Sequence, residues 1–399
     1  MCWPDVKISD VCQLAVDCVN KTAPVVDYET PYKMIRTTNV RGGFVDTNNC
    51  RYVTEETFKK WTRRSIPKKN DIILTREAPL GDVGRVMSDD VIFLGQRLFH
   101  YRANPKKINP GFLAYVLQSP LVQGRIKSKG FGATVQHVKV GVCEKLLIPL
   151  PPLPIQKKIG SILSTYDDLI ENNRRRIQLL EEAARLLYKE WFVHLRFPGH
   201  EHTRITDGVP EGWNLKPLNE LCYQYKETIE PKKVSFETPY IGLEHMPRRS
   251  ITFSDWESSE KVTSTKFVFN EKDILFGKIR PYFHKVGFAL CDGITSSDAV
   301  VIRARQTLLY HFVLAYISSD YFVDLASKTC REGSKMPRAD WNYLEKQSVL
   351  VPSKEQLVEF SESHELIINQ LKTLALLNIK LAQARDLLLP KLMNGEIEV

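Results

Sequence analysis

The sequence predicts an α+β protein: two similar mixed α/β domains, each followed by a long helix, the helices packed antiparallel about a pseudo-two-fold axis. Three observations predict this. Apolar residues recur at heptad spacing near residues 155–192 and again near 355–394. Short apolar bursts bounded by turn residues precede each of those stretches. The two halves of the chain also match one another in order.

The first helix opens behind a proline-rich strip, Pro149-Leu150-Pro151-Pro152-Leu153-Pro154. Residues 155–192 then hold no proline and one glycine, Gly160. Steps of four and three join Ile159, Leu163, Tyr166, Ile170, Asn173, Ile177, Leu180, Ala184, Leu187 and Trp191. A seam held that long predicts a helix packed on another helix, roughly 55 Å in length. The polar Asn173 either fixes register and partner or sits at the seam's edge. The second seam runs through Phe360, His364, Ile367, Leu371, Leu374, Asn378, Leu381, Arg385, Leu388 and Leu392. It stops at Asn394-Gly395, a C-terminal cap signal.

The repeat covers nearly the whole chain. Trp3, Ile8 and Cys12 match Trp213, Leu218 and Cys222 at a shift of 210. Glu29-Thr30-Pro31-Tyr32 recurs as Glu237-Thr238-Pro239-Tyr240, and Asp71-Ile72-Ile73-Leu74 as Asp273-Ile274-Leu275-Phe276. Leu113-Ala114-Tyr115 recurs as Leu314-Ala315-Tyr316 and Gly132 as Gly333, at a shift of 201. An ordered series ending in matched helices means two similar domains, not a solenoid. The expected organisation is a first domain 1–147, a strip and central helix 148–197, a second domain 198–349 and a last helix 350–399. Strands are expected at 71–75, 83–87, 91–94, 273–277, 286–290 and 299–302, and helices at 111–118 and 308–318.

Composition narrows the class. A chain of 399 residues, 43% hydrophobic and 26% charged, has a globular balance. No apolar run reaches membrane-spanning length, and the N-terminus does not read as a signal peptide. The eight cysteines lack zinc spacing and suit a reducing, cytoplasmic setting. Net charge is +9, unevenly spread. Residues 28–147 hold 21 Lys+Arg against 10 Asp+Glu, residues 236–349 only 15 against 14. The basic first domain points to a polyanion, nucleic acid first; a solvated basic surface is the plainer alternative. Two like units on paired helices suit duplex DNA, whose half-sites recur about every 34–36 Å. Unlike domains would read unlike half-sites.

The chain resembles the specificity (S) subunits of Type I restriction-modification enzymes. The residues that carry this are the proline-rich strip, Gln156-Lys157-Lys158-Ile159 and Asp167-Asp168-Leu169-Ile170-Glu171-Asn172-Asn173. Residues 177–184, Leu186-Leu187-Tyr188-Lys189-Glu190-Trp191-Phe192 and the tail 387–396 add to it, as does Val209-Pro210-Glu211-Gly212-Trp213. The first half departs by opening Cys2-Trp3-Pro4 where the second has the P-x-G-W form. The resemblance implies two target-recognition domains, each reading half of a bipartite site in double-stranded DNA. It also implies that the helices set the spacer and dock two methyltransferase (M) subunits, with restriction (R) subunits joining in the full complex of a prokaryotic defence system. It implies no catalytic centre, metal or cofactor in this chain. The residues agree: there is no phosphate-cradling G-x-x-x-x-G-K-[ST] loop and no H-E-x-x-H pair. His200-Glu201-His202 and His364-Glu365 are expected at the solvent.

Base and phosphate contacts call for Arg, Lys, Gln and amide-rich loops. One stretch, residues 125–139, offers Lys127, Lys129, Gln136, His137 and Lys139; its counterpart, 328–341, offers Lys335 and Arg338. A second pair is 76–81 with Arg76, and 278–284 with Lys278, Arg280, Tyr282 and His284. A third is Gly95-Gln96-Arg97 with Ser296-Ser297-Asp298. Ordinary solvated loops are the alternative at each. Two rivals remain at this stage: a duplicated-helix protein scaffold that ignores DNA, and a stand-alone DNA-modifying enzyme.

Overall fold

A computed structural model describes residues 3–132, 135–330, 333 and 335–399. Its contacts divide the chain into two compact units, residues 1–169 with 381–399, and residues 170–380. Each unit therefore holds one domain and a part of both long helices.

In the first domain the sheet order is Cys12–Asp17, Leu98–Ala103, Ile72–Arg76, Leu80–Arg85, Gly43–Val45, Val40–Arg41. A smaller sheet joins Arg51–Tyr52, Lys33–Ile35 and Ile92–Leu94. The second domain repeats the plan with Cys222–Tyr225, Ala299–Ala304, Ile274–Gly277, Val286–Ala289 and Thr252–Phe253. Its other sheet has five strands, with Pro239–Ile241 parallel to Gly293–Thr295 as Lys33–Ile35 is to Ile92–Leu94. The expected strands are present with ends moved by one to three residues, and the expected helices are Pro110–Gln118 and Tyr310–Ile317.

Local chemistry explains the breaks. Pro110–Gln118 starts where Asn109 Oδ1 accepts the Phe112 N–H with Pro110 at the first position. It ends at Ser119, whose hydroxyl caps the next helix, Pro120–Ser128. Ser319 caps Asp320–Lys328 in the same way. Each domain also closes on itself. Asp5–Lys7 pairs antiparallel with Leu147–Pro149, and Asn214–Pro217 with Ser348–Val351. Entry and exit strands are thus neighbours, directly ahead of the helix that follows.

The long helices are Leu153–Tyr188, which continues into a π turn at Lys189–Val193, and Lys354–Met393. The last one ends at Gly395, whose φ of +70° only glycine adopts readily. In the first unit Ile159 and Leu163 share a core with Phe112, Leu389 and Leu392. In the second, Ala184, Ile368, Leu371 and Ala375 share one with Phe288 and Phe312. Rising numbers on one helix meet falling numbers on the other, so the pairing is antiparallel within each unit. Ile159, Leu163, Ile170, Asn173, Ala184, Leu371 and Leu374 are buried. Tyr166, Ile177, Leu180, Leu187, Ile367, Asn378, Leu381 and Leu388 are half-buried at the seam's flanks.

The seam is more polar than periodicity suggests. Asp167 is buried in the first unit, accepts the Tyr115 hydroxyl, and pairs with Arg385 at 2.5 Å. Glu181 is buried in the second unit. Its carboxylate accepts the Ile251 N–H at 2.9 Å, the Thr252 N–H at 3.1 Å and the Ser250 hydroxyl at 2.7 Å. Burial raises its pKa even so. Asn173 Nδ2 donates to Asn378 Oδ1 at 2.9 Å, so Asn173 is inside the seam and partnered. An unpaired buried amide costs about 1–3 kcal/mol. Asn173→Leu alone should therefore destabilise the chain by about that much. Asn173→Leu with Asn378→Ile should recover most of the loss, since these are the residues at the matching places of the other repeat, Leu374 and Ile177. Urea unfolding of both variants checks this.

One expectation is corrected. His364 is not at the solvent but 1% exposed, because a ring from a distant part of the second domain meets it. His311 Nδ1 lies 3.1 Å from His364 Nδ1, and Phe360 stacks on His364. Burial pushes His311 down to about 4 and His364 down to about 3. Both rings are neutral when folded, whereas the unfolded chain takes up protons near pH 6.5. The unfolded state thus binds more protons below about 6.5, and stability is full above that value and falls as pH drops toward 4. The expected slope is up to about 1.4 kcal/mol per pH unit for each histidine. His364→Leu, the residue found at the matching Leu163, should flatten it, as denaturant unfolding at pH 7 and pH 5 will show.

Candidate nucleic-acid interface

Three separate stretches of the first domain meet at the end of strand Ile72–Arg76. The Arg76 N–H donates to Arg97 O at 2.8 Å, and the Val138 N–H donates to Arg76 O at 3.1 Å. Arg76 Nη1 also donates to Val138 O. The loop that follows is closed by Phe131 and His137, each N–H donating to the other's carbonyl at 3.0 Å. Their rings lie 4.0 Å apart, and the Lys139 ammonium stands 5.4 Å from the Phe131 centroid.

The second domain builds the same junction from different residues. The Lys278 N–H donates to Asp298 O at 2.9 Å, and the Ala339 N–H donates to Lys278 O at 2.9 Å. The Arg280 N–H donates to Pro337 O at 2.8 Å and its Nη2 to Lys335 O at 3.2 Å. Arg338 pairs with Asp298 at 3.3 Å. In both domains, then, the three stretches marked in the sequence are brought into one cluster.

Not every residue named there is free to meet a ligand. Arg97, Lys127, Lys129, Gln136, Lys139, Arg280, Tyr282, Lys335 and Arg338 are exposed. Arg76, Gln96, His137 and Lys278 are half-buried. His284 is buried: its Nε2–H donates to Ser318 O at 2.8 Å, and burial lowers its pKa. It holds the turn rather than facing outward. Arg125 is likewise an anchor, bonded to both oxygens of Asp5 at 2.9 and 2.8 Å. Ala133, Thr134, Arg331, Glu332 and Ser334 of these stretches lie outside the described residues.

Sequence reading missed one neighbour. The connection 247–250 brings Arg248 over the face of Phe283 at 3.8 Å. In the first domain Arg41, at the end of the short strand Val40–Arg41, opposes with Lys127 the burial-raised pKa of Asp82. Phe283 lies in the short turn Pro281–Phe283, between Arg280 at φ +48° and His284 at φ +53°. Non-glycine residues hold such values only where the surroundings fix them.

Two clusters mimic chemistry. Ser65 Oγ lies 3.0 Å from His100 Nδ1, and His100 Nε2 lies 2.7 Å from Asp71 Oδ2, as in a nucleophile triad. Yet His100 is fully buried, and Arg102 binds both Asp71 oxygens at 2.9 and 2.6 Å. In the second domain Arg303 holds the matching Asp273 at 2.7 and 2.8 Å with no histidine between. The shared part is an ion pair that anchors a strand. Glu244, His245 and Glu257 converge as metal ligands would. However, His245 Nδ1 accepts the Gly242 N–H at 2.9 Å, which leaves the proton on Nε2. Asn39 Oδ1 accepts the Arg36 N–H at the matching turn of the first domain, so this is a cap.

Close strand approach sets the loops. A Cβ on Gly84 would stand 2.6 Å from Phe44 O, and one on Gly287 2.3 Å from Ile251 O. Gly84→Ala and Gly287→Ala should each cost about 1–3 kcal/mol by forcing the strands apart. Gly124→Ala, with nothing within 4 Å, should not, in parallel thermal unfolding.

A family model for the Type I restriction modification DNA specificity domain matches residues 2–182. The MjaIX specificity subunit of Methanocaldococcus jannaschii is 25% identical over 371 residues, 88% of this chain and 82% of that protein. The EcoKI specificity subunit of Escherichia coli K12 is 24% identical over 419 residues, 99% of this chain and 89% of that protein. Among solved structures, the Type I system S subunit from M. genitalium has the same fold, with a TM-score of 0.56 at 17% identity over 98% of this chain and 96% of that one.

Proposed function

We propose that the chain is a Type I restriction-modification specificity subunit, the family to which it is similar, and that each of its two domains reads one half of a bipartite site in duplex DNA. The observation that carries this is the loop cluster built twice. Corresponding backbone hydrogen bonds hold it in both domains, while the outward side chains differ. Matched frames with unmatched tips suit two unlike half-sites.

The residues assigned to DNA are Arg97, Lys127, Lys129, Gln136 and Lys139 in the first domain. In the second they are Arg280, Tyr282, Lys335 and Arg338. Arg76, Gln96, His137 and Lys278 support them from below, and His284 is left out because it is buried. The paired helices set the spacer between half-sites and dock the methyltransferase subunits, to which restriction subunits add. Chemistry on DNA belongs to those partners. Exposed Leu179, Leu186 and Leu366 on the helices' outer faces suit an apolar partner surface.

The test is a map of methylated adenines in cells that express the chain with its methyltransferase subunit. A two-part motif with a fixed spacer is expected; scattered methylation or none overturns the reading. The assembled complex then allows a finer check. Lysines that meet phosphates should, as alanine, weaken cognate and scrambled duplexes alike and reduce the salt slope by about 0.9 each. Lys127, Lys129 and Lys335 are the first to substitute. If all three variants keep wild-type affinity and slope, the loop assignment fails even where the motif stands.

A further inference from the structure

We propose that Arg248 reads a guanine in the half-site met by the second domain, its guanidinium held flat on Phe283 with the fork turned outward. This rests on the DNA reading above and adds a residue outside the three stretches on which that reading was built.

The other arginines nearby are already engaged. Arg249 pairs with Asp320 at 3.0 Å, and its N–H donates to His284 O at 2.9 Å. Arg338 pairs with Asp298, and Arg280 donates through Nη2 to Lys335 O. Arg248 is exposed and, among the described residues, has no carboxylate within salt-bridge distance. Its guanidinium carbon instead lies 3.8 Å from the centroid of Phe283. A guanidinium stacked on a ring keeps its N–H edges free while losing rotational freedom, which suits a planar pair of acceptors.

The ring itself is fixed. Phe283 ends a three-residue turn between two left-handed residues, Arg280 and His284. His284 is buried and bonded to Ser318 O, and the Arg280 backbone is bonded to Pro337 O. The Arg280 guanidinium carbon lies 5.9 Å from the centroid of the same ring, and the Tyr282 ring centroid lies 5.0 Å from it. Arg248 therefore sits beside two residues already assigned to DNA, on a ring whose turn is anchored at both ends. A phosphate needs only charge, which a lysine on a loose loop supplies. A fork pre-set on an aromatic face is the arrangement that discriminates, and guanine O6 and N7 are the paired acceptors it fits.

The experiment uses the full chain assembled with its methyltransferase subunit and duplexes carrying the mapped site. Each guanine of the second domain's half-site is replaced in turn by 7-deazaguanine, which lacks the N7 acceptor. One such replacement should weaken wild-type binding about tenfold or more and leave Arg248→Ala unaffected. Arg248→Ala should accept other base pairs at that one position and keep the other half-site and the spacer. Arg248→Lys keeps the charge but not the fork, so it should behave like the alanine variant. A half-site without guanine, or equal binding of every 7-deaza duplex by the wild type, overturns the proposal. So does a uniform loss that Arg248→Lys restores, which marks a phosphate contact. These results need no folded alanine variant, because the 7-deaza series uses the wild-type chain. If the wild-type complex does not distinguish cognate from scrambled DNA, the DNA reading itself fails, and that outcome is separate.

Discussion

The contact on which the rest depends is the amide pair between the two long helices, buried Asn173 with half-buried Asn378. A helix seam of leucines alone tolerates sliding by a turn and exchange of partners. A donor and an acceptor in the seam do not, since any other register buries an amide without a partner. Asp167 with Arg385 adds a second such constraint, within the first unit. The matching places of the other repeat are apolar: Leu374 and Ile177 for the amides, Ile368 and Ala184 for the ion pair. The Asn173–Asn378 and Asp167–Arg385 pairs thus find their complements only on the other helix. A copy of the first helix set against itself would place Asn173 on Ile177 and Asp167 on Ala184. The duplicated helices have diverged so that first meets second, although their heptads alone would allow like to meet like.

The same division into frame and difference runs through the domains. Asp71 with Arg102 and Asp273 with Arg303 are one anchor used twice. The entry and exit strands pair identically in both copies. What changes is the layer above. Ala78 becomes Arg280, Leu80 becomes Tyr282, and His137 becomes Arg338 at the matched positions. Some of the first domain's cations are paired within the fold, Lys59 with Glu55, Lys60 with Glu56 and Lys69 with Asp89. Those acids are already subtracted in the domain's net charge, so its basic excess stands; exposed pairs of this kind are worth little energetically.

Much of this was legible in the sequence because it is periodic or repeated. The heptad steps located both helices, and the ordered matches located two domains and the three stretches that cluster. The misses share a physical cause. His364 reads as a polar interruption, but its burial depends on His311, 53 residues away. Glu181 falls one place beyond Leu180 in the heptad, and the Ser250 hydroxyl with the amides of residues 251 and 252 makes its burial tolerable. Arg248 lies in a connection that differs in length between the copies, where alignment by repeat fails. Local pattern reports which face is apolar; it does not report which distant backbone amide will satisfy a buried carboxylate.

The placement of these contacts explains how recognition can vary on a constant frame. Each domain begins and ends on paired strands, so its fold is closed before the helix starts. The seam draws on residues of the two helices and, through Glu181, Tyr115 and His311, on one turn and two helices of the domains. Ser250, in the connection that carries Arg248, is one of Glu181's donors; none of the others is in the loop clusters at residues 76–81, 95–97 and 131–139 or their counterparts. Substitution in the loops leaves the seam's buried polar groups satisfied, and substitution in the seam leaves the loops' backbone bonds intact. Groups that share no partner combine their effects additively. Two recognition surfaces can therefore diverge without penalty to the helix pair, provided that the closing strands and the Asp–Arg anchors remain. In this chain both domains keep them.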